Sequence, residues 1–416
     1  MRLRQKLESW GFRSLPIFNP NDYKRRLVDL EEDFNYYIDE ILRQAQEGKR
    51  HGKNWKKEWG FGKSTFLYNV SDFLNHNYLF HSLGDKSAYS HIFSIFIPFP
   101  EKLNNVIKRL ATGEQDYIAS LPGNPPISFH EVMRTVAFSI LIEANKDNSS
   151  IKQTTTENIE ELLQEKPKLR NEILENMKKH LEDRLPWSKT INEDLAVGLV
   201  EMTYPIGTAV FEEGFKKVRK RLNFDVFSYL LKLAKIFLVI IVDQVEYATA
   251  SQLKELIQLV TDEENYAHIH LATVMRTDWR AWVKPSQQKD YQTLTERLEE
   301  ERLSPLSEEG AKQLIISLLD EFRSSESTIP DRFYPFTEDA IEYLIKKSRD
   351  PAVHNEINPR RLLQLVTRVL SLAYRKCHST ISKKLLQTEE YDSQIEQTIG
   401  PIEAMEEEFE ETETLG

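Results

Sequence analysis

The chain has 416 residues, 40% apolar and 29% charged, with 14 Gly and 17 Pro, which excludes collagen-like, low-complexity and largely disordered classes and suits two or three globular domains. Its net charge of −11 is concentrated at the end: Glu389 to Gly416 holds eleven acidic residues and no Lys or Arg, leaving the rest formally neutral, so charge alone does not exclude a nucleic-acid partner. The longest apolar run is the seven residues Ile236 to Val242, against roughly 20 needed to cross a bilayer; with no apolar stretch behind the basic N-terminus and a single Cys377, the sequence predicts a cytoplasmic protein without membrane spans or internal disulfides.

In chain order, Leu27, Leu30, Phe34, Tyr37, Ile38 and Ile41 recur at three-to-four spacing and predict an amphipathic helix over 26–42. The polar stretch 44–58, with Trp55 its one large apolar residue, reads as a loop. A helix over 64–80, a strand over 91–97 closed by Pro98, and helices over 102–111 and 129–144 follow. A long helical region then runs to Leu233 and includes the charged segment 156–184. Ile236 to Val242 is apolar throughout, as a strand covered on both faces should be. A helix over 250–260 and a strand over 268–274 complete a strand-helix-strand unit. Helices over 308–322, 338–347 and 360–376 precede the acidic tail.

The sharpest local signal is Gly60-Phe61-Gly62-Lys63-Ser64-Thr65, opening the helix that starts at Phe66. Gly60 and Gly62 let backbone amides face a phosphate, the helix N-terminus adds its positive dipole end, Lys63 reaches the outer phosphates, and Ser64 offers a hydroxyl to Mg²⁺. This is a P-loop with two departures. The full pattern G-x-x-x-x-G-K-[ST] has glycine where this chain has Lys57, and no apolar strand precedes the loop. The bland alternative is a glycine-rich helix cap beside an exposed Lys. Asp243, closing the apolar run 236–242, supplies the carboxylate that such an NTPase needs to organise Mg²⁺.

Together, Gly60 to Thr65, Asp243-Gln244-Val245-Glu246 and Asn358-Pro359-Arg360-Arg361-Leu362-Leu363 resemble the AAA+ ATPases, above all their origin-recognition, helicase-loader and STAND-like branches. The resemblance spans about residues 58 to 376. It implies that Leu303 to Ala311 begins a helical lid, and that Arg360 acts as a sensor 2 residue on the outer phosphates. The alternative for Arg360 is the first turn of an ordinary N-capped helix. Where the family has Asp-Glu this chain has Asp243-Gln244. Gln can orient water but cannot take its proton, so either Glu246 is the catalytic carboxylate beside Asp243, or turnover is slow and nucleotide acts as a switch. Thr273, Arg276 and Thr277 are the polar candidates at the sensor 1 position, and Arg297 stands near where some relatives carry an arginine finger, although a solvated charge explains it as well. Lys216 to Arg221 is the densest basic patch and reads first as a solvated helix face.

The sequence therefore predicts an α/β three-layer P-loop NTPase core with a parallel sheet over 58–300, carrying a large helical insertion over about 145–235. An N-terminal helical segment and basic loop (1–57), a helical lid (301–380) and an acidic tail (381–416) complete the chain; the eleven carboxylates from Glu389 onward repel one another, so that stretch is expected to be mobile and dispensable for folding. The expected nucleotide-binding residues are Gly60, Gly62, Lys63, Ser64, Thr65 and Arg360, with Ser64 and Asp243 holding the metal. The expected ligands are ATP and Mg²⁺. By resemblance, the partner is DNA or a DNA-processing protein, and the chain works as a homo-oligomer or in a multi-protein assembly. Two rivals stand beside this ATPase: a STAND-like signalling or defence switch, and a non-catalytic adaptor whose P-loop has degenerated.

Overall fold

Residues 53–56, Lys-Asn-Trp-Lys, form an interior β-strand of a parallel sheet, where the sequence predicts a loop. The computed structural model of the chain describes residues 7–98 and 197–399, apart from 17, 19–26, 58–59, 80, 85, 199, 203–208, 219–223, 325–328 and 330. The helices expected over 102–111, 129–144 and 156–184, and the tail beyond 399, lie outside the described residues, as does most of the proposed helical insertion. Two compact units divide the chain. One takes in residues 36–56 and 67–302, the other residues 1–35, 57–66 and 303–416.

The first unit is built on a five-stranded sheet in the order β2-β3-β4-β1-β5, every pair parallel. The strands are β1 (Lys53–Lys56), β2 (His91–Pro98), β3 (Ile236–Asp243), β4 (Ile269–Met275) and β5 (Glu299–Glu301). All of β3 and β4 is buried, which is why their sequences are nearly uniformly apolar. Side chains alternate between faces along each strand. Phe93, Ile95 and Ile97 of β2, Ile236, Leu238, Ile240 and Val242 of β3, and Ile269 and Leu271 of β4 share one apolar cluster with α3 (Ala209–Val218), α4 (Phe224–Leu233), α5 (Ala250–Thr261) and α6 (Gln288–Arg297).

The opposite face meets α1 (Glu31–Glu47) and α2 (Lys63–Leu74). Tyr68 of α2 packs edge-on to Phe96 at 5.5 Å, and Tyr37 of α1 packs edge-on to Trp55 at 5.0 Å. Buried polar groups on this face are matched. Tyr37 Oη lies 2.8 Å from His270 Nε2, and His270 Nδ1 lies 2.9 Å from Gln44 Oε1, which also accepts from the His51 amide at 3.0 Å. An amide oxygen only accepts, so Nδ1 carries the imidazole proton and Nε2 accepts from the tyrosine hydroxyl.

Charge explains why β1 escapes an apolar-pattern search. Lys53 is 1% exposed, and its ammonium lies 2.7 Å from Glu299, 2.8 Å from Glu301 and 3.1 Å from Glu40. Lys56 pairs with Glu300 at 2.8 Å. Burial pulls the Lys53 pKa down, but hydrogen bonds to the three carboxylates outweigh it and the net direction is up. The strand is therefore held by cross-strand ion pairs to β5 in addition to its backbone ladder.

In the second unit, α7 (Glu308–Glu321), α8 (Glu338–Lys347), α9 (Pro359–Arg375) and α10 (Glu389–Ile399) enclose an apolar core that Trp10 and Phe12 join from the N-terminal segment. The Trp10 indole donates to Ser379 O at 3.1 Å, and the Arg323 guanidinium lies over the Phe12 ring at 5.1 Å. The short antiparallel pair β6 (Arg349–Asp350) and β7 (Glu356–Ile357) leads into α9. Residues 389–399 correct the expectation of a mobile tail from 389 onward. They form a helix whose Tyr391 and Ile395 are buried in this core, with Lys347 2.5 Å from Glu396 and the Tyr343 hydroxyl donating to Asp392 at 3.1 Å. Acidic composition misled because its charges face outward while the apolar residues keep a helical spacing.

Candidate functional site

The strands all run the same way, so the C-terminal ends of β1, β3 and β4 share one edge of the sheet, the edge at which open α/β sheets take ligands. The glycine loop leaves this edge directly after Lys56 and runs into α2 at Lys63.

Gly60 and Gly62 have φ values of +87° and +81°, in the left-handed region that side chains disfavour. Gly60 carries a second constraint. A Cβ there would lie 2.6 Å from Asn358 Oδ1 and 3.0 Å from Arg360 Cβ, so the N-terminus of α9 approaches the loop too closely for any side chain. The Arg360 amide donates to Gly60 O at 3.2 Å, and Asn358 caps α9 by accepting from the Arg361 amide at 3.1 Å. The Asn-Pro-Arg phrase thus places the N-terminus of α9 on the glycine loop, and the structure brings Gly60, Gly62, Lys63, Ser64, Thr65 and Arg360 together in one unit.

Lys63 is buried, and its ammonium donates to Lys57 O at 2.5 Å. The helix ladder closes behind it, with the Phe66 amide donating to Gly62 O at 2.9 Å. Ser64 and Thr65 are half-buried on the first turn of α2. Lys57, the residue in place of the motif's first glycine, is also buried. Its ammonium lies 2.8 Å from Glu356 Oε2, donates to Leu303 O at 3.2 Å and sits 4.8 Å from the centre of the Phe61 ring.

In the other unit, Asp243 is fully buried at the end of β3, on the α1 and α2 face by alternation from Val239 and Ile241. The chain turns immediately afterwards. Gln244 takes a left-handed conformation at φ +55° and starts a 3₁₀ turn over Val245–Tyr247, so a sharp bend, not a continued strand, carries Glu246. The Tyr291 hydroxyl donates to Val245 O and so pins that turn. Burial, and then the charge of Glu246, raises the Tyr291 pKa well above its usual value, which keeps the hydroxyl a donor. Glu246 itself is 6% exposed. Of the sensor 1 candidates, Thr273 lies level with Val242 and donates to Asn54 Oδ1 at 3.0 Å, on the face opposite Asp243. Arg276 forms a two-pronged pair with Asp278 at 2.7 and 2.9 Å. Arg297 ends α6 exposed to solvent.

Mg²⁺ takes hard oxygen donors and usually binds through one or two protein groups plus substrate phosphates. The Ser64 hydroxyl and the Asp243 carboxylate are donors of that kind. Sequence reasoning missed two features: β1 as the strand that precedes the glycine loop in the chain, and Lys57 as a residue with partners of its own. The odd Lys in a glycine position was the available signal for the second.

Sheet, glycine loop and following helix define an α/β P-loop NTPase fold. No protein-family model matches the chain, and no curated protein matches it. Solved structures do. Cdc6p from Pyrobaculum aerophilum is 10% identical, with a TM-score of 0.42 over 88% of this chain and 69% of that one. The Aeropyrum pernix ORC2 protein in its ADPNP–ADP complexes is 10% identical, with a TM-score of 0.46 over 93% and 72%. Drosophila ORC bound to DNA is 11% identical, with a TM-score of 0.39 over 96% and 65%. These neighbours are Cdc6/ORC AAA+ ATPases, the branch that the sequence motifs resemble.

Proposed function

We propose that the chain is an AAA+-like ATPase that binds Mg-ATP at the Gly60–Thr65 loop and uses it to drive assembly or remodelling of a DNA-associated partner. One observation carries the nucleotide reading: two left-handed glycines lead into the N-terminus of α2 with a buried Lys63, and the Asn358–Arg360 end of the lid helix lies on the same loop. Aligned amides and a positive helix end favour an anion there. In this reading Lys63 and Arg360 bind the outer phosphates, and Ser64 and Asp243 hold the metal.

The adaptor reading loses its main support, because the strand that should precede a P-loop is present as β1. The switch reading keeps one specific support. Asp243 is followed by a neutral Gln244 in a left-handed turn, leaving Glu246 as the remaining carboxylate of that turn to polarise water. A phosphate-release assay on the parent and on Glu246→Gln decides between them. Turnover that vanishes in the variant while ATP affinity persists makes Glu246 the base. ATP binding without turnover in the parent makes the chain a nucleotide-gated switch.

The DNA partner rests on the family resemblance. ATP-dependent DNA binding by the full chain tests it.

A further inference from the structure

We propose that Lys57 and Glu356 form a latch that holds the lid on the P-loop before nucleotide arrives, so that Lys57 is a positioning residue for Lys63 and Arg360. The proposal rests on the P-loop reading above and adds a role for the residue that breaks its motif. A glycine at position 57 could offer only backbone. Lys57 instead works at both ends. Its carbonyl accepts the Lys63 ammonium at 2.5 Å, and its own ammonium reaches Glu356 at 2.8 Å and Leu303 O at 3.2 Å.

The partners on the lid side fix the geometry. Glu356 belongs to β7, and Asn358 and Arg360 follow it within four residues, so a tether at Glu356 limits how far the N-terminus of α9 can leave the loop. The tether is largely shielded, with 8% of the Lys57 side chain and 25% of the Glu356 side chain exposed, and Phe61 covers the ammonium from one side. Its strength is therefore screened less than that of a surface pair. The amide of Arg360, bonded to Gly60 O at 3.2 Å, reports whether the lid end is seated. Phosphate binding requires Lys63 to swing from the Lys57 carbonyl to the ligand. It does not require Lys57 to release Glu356, so the latch can stay closed through binding and keep Arg360 at the loop.

The test is amide hydrogen exchange at Arg360 in the nucleotide-free full chain, paired with ATP titration, for Lys57→Met, Glu356→Gln, the double variant and Lys57→Arg. The latch predicts exchange about tenfold faster, and ATP affinity about fivefold weaker, in each single variant. The double variant should be no worse than either single one, because both remove the same interaction. Lys57→Arg, which keeps the charge, should stay near the parent. Unchanged exchange in the single variants, or effects that simply add in the double one, would overturn the latch. A parent that binds no ATP would overturn the P-loop reading instead, and the exchange experiment, made without nucleotide, still decides the latch.

Discussion

The Lys53 ammonium lies 3.1 Å from the Glu40 carboxylate, and both side chains are almost wholly buried, at 1% and 6% exposure. With Glu299 and Glu301 at 2.7 and 2.8 Å, this Lys joins α1, β1 and β5. Replacing it by Met leaves a buried carboxylate without its counter-charge, so Lys53→Met should cost about 3 kcal/mol or more. Adding Glu40→Leu should recover part of that loss, since an apolar pair restores packing without an isolated charge. Urea unfolding of the three proteins measures both effects. A loss in Lys53→Met below about 1 kcal/mol would show that the cluster is not what holds β1.

How far the fold was legible follows from the same strand. The apolar runs that became β2, β3 and β4 announce themselves by burial on both faces, and the loop Gly60–Thr65 by backbone requirements that few sequences meet. β1 was not legible, because Lys-Asn-Trp-Lys is stabilised by partners 244 to 248 residues away, Glu299 to Glu301, which local periodicity cannot see. The docked helix over 389–399 failed for a related reason: eleven acidic residues dominated the reading, while Tyr391 and Ile395, four apart on one face, do the packing. In the site, Arg360 and Asn358 could be named from their motif, whereas the partners of Lys57, Glu356 of β7 and the Leu303 carbonyl, lie 246 to 299 residues away and had no local signature.

Acid should weaken the sheet unit through its buried histidines. His268 and His270 are held at about 3, chiefly by burial and then by the nearby charges of Lys232 and Lys53 respectively, against an ordinary value near 6.5. Between those values the unfolded chain binds more protons than the folded one, so stability is fully present above about pH 6.5 and falls as pH drops towards 3. The slope reaches up to about 1.4 kcal/mol per pH unit for each histidine. Urea midpoints measured at pH 7, 6, 5 and 4 should decline steadily, and His270→Gln should flatten the decline. Midpoints constant from pH 7 to 5 would rule this out.

The end of the chain should divide into a structural and a dispensable part. Tyr391 is 1% exposed in the helical core, so Tyr391→Ala should cost about 3 kcal/mol, and deletion of 389–416 at least as much. Deletion of 400–416 alone should leave Tm close to that of the parent. Equal Tm values for the two deletions would mean that α10 contributes nothing to the core.

Asp243→Asn keeps shape and burial while removing charge, so the fold should survive and only the metal dependence should change. ATP affinity in the parent should rise when Mg²⁺ is added, and in the variant it should not. Matching Mg²⁺ titrations would make Asp243 a structural residue at the end of its strand.

The central claim, that Gly60 to Thr65 is a working phosphate-binding loop, is tested most directly by calorimetric titration of Mg-ATP into the parent and into Lys63→Ala. A charge-assisted contact contributes on the order of 1.5 to 3 kcal/mol. The parent should therefore bind ATP, and the variant should bind at least about tenfold more weakly with its fold intact. Equal affinities, or no binding by a folded parent, would contradict the assignment.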